Sequence, residues 1–216
     1  MQLYAGGRFA EAIVVAEQAV DLGTSEFGVD HPSTAALVAN LADLHTELGH
    51  WPDAEMLYRR VATIRTKTLG EDHPELADAY ARLGRALSAQ AQYQAAENAY
   101  WQALATIDLE LARNPHVLNR LNLEGGLYRA RAWYNRAHRF AGEERLDEAE
   151  KLYESAIAAF EANDSVERAE VAEALNKRAT ILRALGQVDE AALVEAHAVQ
   201  VAGGRAGCRL PTVMDC

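Results

Sequence analysis

Cysteine is nearly missing from this chain: Cys208 and Cys216 are its only two, and both fall in the last nine residues. Disulfides therefore contribute nothing to the body, and the tail offers too few ligands for a metal site. It also lacks the cysteine four from the end that prenylation needs, since Val213 stands there. Aromatic residues make up 7% and prolines number five, against 50% hydrophobic and 25% charged residues. That balance, rich in Ala, Leu and Glu, disfavours a β-rich fold and predicts an all-helical one. Lys and Arg are outnumbered 21 to 32 by Asp and Glu, for a net charge of −11. With the basic residues interleaved among acids, no stripe exists to neutralise phosphates, which argues against nucleic acid as a partner. No run approaches the roughly 18 apolar residues of a membrane span. The start, Met1 to Arg8, lacks the basic onset and apolar core of a secretory signal, so the expected address is cytoplasmic.

Catalytic motifs are absent as well. There is no Gly-x-Ser-x-Gly, phosphate loop, His-Glu-x-x-His or Gly-x-Gly-x-x-Gly. Acidic clusters such as Asp147-Glu148-Ala149-Glu150 sit where helices would begin and suit the positive end of the helix dipole. His45, His50, His116, His138 and His197 lack convergent spacing along the chain. The expectation is a chain with no catalytic residues, no metal and no cofactor.

What is present is a repeat. Phe9, Trp51 and Tyr93 are 42 residues apart, in the frames Gly7-Arg8-Phe9, Gly49-His50-Trp51 and Ala91-Gln92-Tyr93. The frame returns at Leu146 and Val188, again 42 apart, after one longer interval of 53. Self-similarity at fixed period marks stacked repeat architecture. Each unit reads as two helices. His31-Pro32 opens a segment with Ala35, Val38, Leu41 and Ala42 at helical spacing, which Gly49 ends. A second helix carries Ala54, Leu57, Tyr58, Val61, Ala62 and Ile64 on one stripe and runs to Leu69-Gly70. His31 and His73 each precede a proline, which makes them boundary residues.

Small residues recur where the two helices of a unit cross: Ala12, Ala54, Ala96, Ala149 and Ala191 on the second helix. Ala42, Gly84, Ala137 and Ala179 take that part on the first, allowing the axes to approach to about 8–10 Å. Tyr58, Tyr100 and Tyr153 lie seven beyond the frame residue and read as packing between units.

The glycine-x-aromatic-x-x-Ala frame, the small residue on the first helix and the trailing Tyr together resemble the tetratricopeptide repeat. The longer period and Leu69-Gly70-Glu71-Asp72-His73-Pro74 between units resemble its kinesin light chain type. The resemblance covers about residues 1–202 as some 4.5 helix pairs, with 203–216 left as a flexible tail. It implies an all-α, right-handed superhelical solenoid of antiparallel helix pairs, non-catalytic, whose first helices line a concave peptide-binding groove.

Three departures stand out. The long interval adds eleven residues, about three helical turns, near 114–126. Either the fourth unit has an elongated first helix, or a short extra helix ends at Gly125-Gly126. The second is slightly favoured, since each Gly costs about 1 kcal/mol in a helix. At the front, only Met1 to Ala5 precede Gly6-Gly7, so the first unit lacks most of its first helix. Ile13, Val14 and Ala16 are then expected to be poorly covered. A fragment of a longer protein is the leading explanation, and self-association through this helix the sharper one. At the far end, no cap helix closes the stack.

Counting eleven residues back from each frame residue gives Asn40, Arg82, Asn135 and Lys177 as groove positions. Three further along come Asp43, Arg85, His138 and Thr180, with Arg131 and Tyr134 a turn earlier on the fourth unit. Asp43 is the one acid in this set. Asn40 and Asn135 match the Asn by which the family's grooves hold a ligand backbone; Arg82 and Lys177 depart from it by adding charge. The expected function is a non-enzymatic scaffold or adaptor that binds a protein or peptide segment, with acidic peptides favoured and Arg82 and Arg85 as anchors. The alternatives are a regulatory or sensor module of a larger multidomain protein, and a homo-oligomeric assembly subunit.

Overall fold

The computed structural model describes residues 9–113, 118–164 and 166–203, with side chains from residue 11 on and, in the second stretch, from 124. Among these, the regular structure is helical throughout: α1 (Phe9–Phe27), α2 (Pro32–Glu47), α3 (Trp51–Leu69), α4 (Pro74–Ala89), α5 (Tyr93–Arg113), α6 (Leu118–Gly142), α7 (Leu146–Glu161), α8 (Arg168–Ala184) and α9 (Val188–Ala202). The chain divides into two compact units, Met1–Tyr128 and Arg129–Cys216. In the first, α1 packs on α2, α2 on α3, α3 on α4 and α4 on α5; in the second, α7 packs on α8 and α8 on α9.

All five frame residues open a helix: Phe9, Trp51, Tyr93, Leu146 and Val188 are the first residues of α1, α3, α5, α7 and α9. The turn before each described frame has one geometry. Gly49, Ala91, Glu144 and Gly186 take positive φ, at +72°, +57°, +60° and +81°. The next N–H then reaches back five residues, as in His50 to the His45 carbonyl (2.9 Å) and Arg145 to that of Phe140 (2.9 Å). This is the six-to-one closure of a helix C-terminus, which satisfies an orphan carbonyl while reversing the chain. Glycine suits it, and Ala91 and Glu144 adopt it at a steric cost.

At the other turns, the boundary histidines have a more specific part than a break in the helix. His31 and His73 are N-caps, each accepting through Nδ1 a hydrogen bond from a backbone N–H, of Ser33 (3.1 Å) and Glu75 (3.2 Å). They serve as Ser or Asp commonly does, with Pro32 and Pro74 following at the first helical position.

The small residues are where close approach requires them. Ala12, Ala54, Ala96, Ala149 and Ala191 are all buried, as are Ala42, Gly84, Ala137 and Ala179. Tyr58, Tyr100 and Tyr153 are buried beside them. At Gly84 the approach leaves no room for a side chain: a Cβ there would lie 2.9 Å from Cζ of Tyr100. In the second unit, Arg178 on α8 reaches Glu150 (2.7 Å) and Glu154 (3.5 Å) on α7 and Glu190 (3.1 Å) on α9, and so ties three helices together.

Two expectations need correction. The glycine pair does not end a short helix: α6 runs unbroken through Gly125 and Gly126 to Gly142. The reason is tertiary packing, which outweighs the propensity cost. Gly125 is buried against α5, where a Cβ would meet Leu104 at 3.7 Å and Ile107 at 3.8 Å, ordinary van der Waals contact that does not itself demand glycine. On α1, Ile13 and Ala16 pack against the core of the first unit, while Val14 and Val15 stay exposed. Residues 1–8, the segment 114–117 and the 204–216 tail lie outside the described residues, and with them any test of the missing first helix or of a flexible tail.

Gly84→Ala weighs two effects of opposite sign. Helix propensity favours Ala by up to about 1 kcal/mol, and overpacking a buried ring costs about 1–3 kcal/mol. With Tyr100 unable to swing into solvent, the second wins. Urea denaturation is expected to show a net loss of about 1 kcal/mol.

Candidate functional site

The first unit presents a cleft of about 130 Å³ lined by Asp43, Thr46, Glu47, Tyr58, Arg82, Arg85 and Ala86. Its floor is a chain of polar contacts across three helices. The Tyr58 hydroxyl on α3 donates to Asp43 on α2 (2.6 Å) and lies 3.2 Å from the Thr46 hydroxyl. The same Asp43 oxygen accepts from Nη1 of Arg82 on α4 (2.5 Å), and Nε of Arg82 donates to both oxygens of Asp78, one turn earlier (2.9 Å each). Arg65 of α3 completes the run, 3.7 Å from Asp78 and 3.3 Å from Glu75. Burial pushes the Tyr58 hydroxyl up to a pKa of about 12, with the Asp43 carboxylate adding to the shift. For Arg82, burial works against the charge, yet Asp78 and Asp43 more than offset it and raise its pKa above the ordinary value.

This placement changes what the predicted anchors can do. Arg82 is engaged by two carboxylates, so its charge is spent inside the protein rather than offered to a ligand. Arg85, one turn on, is exposed and makes no ion pair among the described residues. Asn40, a turn before Asp43 on α2, is exposed too. The expectation of a paired Arg82–Arg85 anchor thus separates into one structural arginine and one available one.

In the second unit the predicted residues lie together but largely turned inward. Arg131 makes a two-pronged pair with Glu170 of α8, 2.9 Å at Nε and 2.9 Å at Nη2. Tyr134 donates to Glu173 (3.0 Å). Asn135 is a core residue, 1% exposed, whose amide donates to the Arg131 carbonyl (2.8 Å). Its burial closes it to a ligand backbone. His138 meets the edge or face of Tyr134 (centroids 4.5 Å) and Tyr153 (5.5 Å). Burial, with Lys177 adding repulsion, lowers its pKa from 6.5 to about 4, so the ring is neutral at physiological pH. Lys177 and Thr180 are exposed on α8.

Sequence reasoning missed the partners. Asp43–Arg82, Arg131–Glu170 and Tyr134–Glu173 are each separated by 39 residues, three short of the period. That offset brings one first helix beside the next, and opposite charges at it are a signal the sequence carries. It also missed a convergence of side chains. His45, His50 and Asp53, from the end of α2 and the start of α3, bring their ligating atoms within 4.8 Å of one another. The histidines are therefore not all scattered.

Comparison with known proteins agrees with this architecture. A family model for the tetratricopeptide repeat matches residues 1–67 and 36–107, and another of that description matches 130–163. The Arabidopsis thaliana protein kinesin light chain-related 2 is 31% identical over 109 residues, 50% of this chain but only 16% of that protein's length. Among solved structures, BtubC (BKLC) from P. vanneervenii has a TM-score of 0.66 at 17% identity, covering 99% of this chain and 81% of its own. A putative kinesin light chain from Podosopora anserina with nearly identical TPR-like repeats has a TM-score of 0.61 at 24% identity, over 94% of this chain and 90% of its own.

Two measurements check this geometry. Tyr58→Phe removes a charge-assisted donor from a half-buried carboxylate and is expected to cost about 1 kcal/mol in urea denaturation. For His138, the unfolded ring titrates at its ordinary 6.5 and the folded one at about 4. Above the upper value both states are neutral and stability is full. As pH falls between the two, only the unfolded chain gains a proton, so stability declines. After allowance for solvent screening of a half-buried ring, the decline is about 2 kcal/mol. His138→Gln is expected to flatten that part of the thermal stability profile.

Proposed function

This chain belongs to the tetratricopeptide repeat family, and we propose that it is a non-enzymatic scaffold whose first unit binds an extended segment of another protein. The segment lies along the face shared by α2 and α4, with its backbone near Asn40 and one carboxylate at Arg85. What supports this is the contrast inside a single cleft: Tyr58, Asp43 and Arg82 are satisfied by one another, while Arg85 faces solvent without an intramolecular counter-ion among the described residues. Glu47 on the same rim adds negative charge, which disfavours densely acidic ligands. The preferred class is therefore a segment with one Asp or Glu among neutral residues.

A cation at the surface gives modest, salt-sensitive affinity, because exposed charges are screened beyond about 8 Å at physiological ionic strength. The test is anisotropy titration of short fluorescent peptides that differ only by Asp or Asn at one position. Arg85→Glu is expected to abolish the preference for Asp without lowering the melting temperature. Arg82→Gln is expected to lower the melting temperature, because it takes the cation from Asp43 and leaves Asp78 only its longer contact with Arg65. An Asp preference that survives Arg85→Glu would end this reading.

A second reading, self-association through α1, is favoured by the exposed apolar side chains of Val14, Val15, Leu22 and Phe27 on that helix. Light scattering over a range of concentrations decides it: a mass that rises in the wild type and stays constant in Val15→Glu supports association.

A further inference from the structure

The reversal between α2 and α3 carries two imidazoles that the fold does not require, beside a first-turn acid of the kind other repeats also have. His45 lies in the last turn of α2, His50 is the N-cap residue of α3, and Asp53 is in the first turn of α3. Gly49, at φ +72°, turns the chain tightly enough to set the two imidazoles side by side. Their Nδ1 atoms are 3.4 Å apart, and the Nδ1 of His45 is 3.9 Å from Oδ2 of Asp53. For a tetrahedral ion with metal–nitrogen bonds of 2.0–2.1 Å, two ligand nitrogens sit about 3.3 Å apart. The imidazoles are at that separation, and the carboxylate needs a small rotamer change to join them.

The equivalent positions in other repeats show that nothing in the architecture calls for the two histidines, while an acid two after the frame residue recurs at Glu11, Glu148 and Glu190. Where His45 stands, the other pairs have Leu87, Phe140 and Leu182; where His50 stands, they have Gln92, Arg145 and Gln187. Leu87 and Leu182 are buried core residues, so this unit places an imidazole at a position that elsewhere serves packing. That the two positions face each other is seen independently at Phe140 and Arg145, where the guanidinium lies 3.6 Å from the ring centroid. In the second pair the same juxtaposition brings together two metal-ligating groups, with a carboxylate supplied at Asp53.

We propose that His45, His50 and Asp53 bind one divalent transition-metal ion, zinc being the reference case, with water completing the coordination. Two imidazoles and one carboxylate suit zinc, cobalt, nickel or copper. They do not suit calcium or magnesium, which take oxygen ligands. Bound there, the ion cross-links the end of α2 to the start of α3 and stiffens the turn, and it stabilises the folded chain by an amount that grows with the logarithm of free metal above the dissociation constant. The alternative is a hydrogen bond between the imidazoles with no affinity for metal.

The experiment is calorimetric titration of zinc chloride into the full chain, free of any histidine tag and bearing Cys208→Ser and Cys216→Ser so that tail thiols cannot compete. One-to-one binding is expected, with a rise in melting temperature that EDTA reverses. His50→Gln removes an exposed ligand without opening the core and is expected to weaken binding at least tenfold while leaving the metal-free melting temperature unchanged. Asp53→Asn, also exposed, gives a second variant with the same expected direction. A parent chain that binds no zinc, or a loss smaller than tenfold on His50→Gln, overturns the proposal.

Discussion

A pair of antiparallel helices has too little apolar surface to hold itself together, so each pair in this chain is stable only against its neighbours. That constraint explains why the same few positions keep the same character in every repeat. Helix axes must come close for the side chains between them to interdigitate, and closeness is set by what stands at the crossing. Ala54, Ala96, Ala149 and Ala191 occupy it on one side and Ala42, Gly84, Ala137 and Ala179 on the other, all of them buried. Tyr58, Tyr100 and Tyr153 fill the space beside them. The aromatic or aliphatic frame residue matters less for its bulk than for where it starts the helix.

A polar layer is superimposed on this packing. Asp43 with Arg82, Arg131 with Glu170 and Tyr134 with Glu173 join successive first helices at the same sequence offset. Bidentate or multiply bonded guanidinium groups hold geometry better than a single exposed pair, which typically contributes little. These contacts therefore fix the register between helices that the small residues have brought close. They also use up charges that a scan of the sequence would assign to ligand binding.

The helix boundaries were legible because they rest on local chemistry: proline after histidine opens α2 and α4, and the frame residues open the second helices. The Gly125-Gly126 pair misled for the opposite reason. Local propensity disfavours a helix there, but packing of this segment against Leu104 and Ile107 outweighs it. Asn135 was placed on an open face by counting along one helix; its burial depends on tertiary packing, which no single-helix count contains. The neutralisation of Arg82 was half hidden in the same way: Asp78 stands four residues before it on the same helix, but Asp43 is distant along the chain. His45, His50 and Asp53 escaped notice because their spacing suits neither a helix face nor a strand; a turn with positive φ brings them together.

The self-compensated floor of the first cleft has a kinetic corollary. With Asp43, Asp78, Arg82 and Arg65 cancelling over a few ångströms, little field extends from that floor into solvent, and the chain as a whole carries −11. For the acidic segment proposed as ligand, this predicts repulsion on approach and attraction only at contact, the reverse of electrostatically steered encounter. On that reading collision is slow and discrimination comes late, through how fast a poorly matched segment departs.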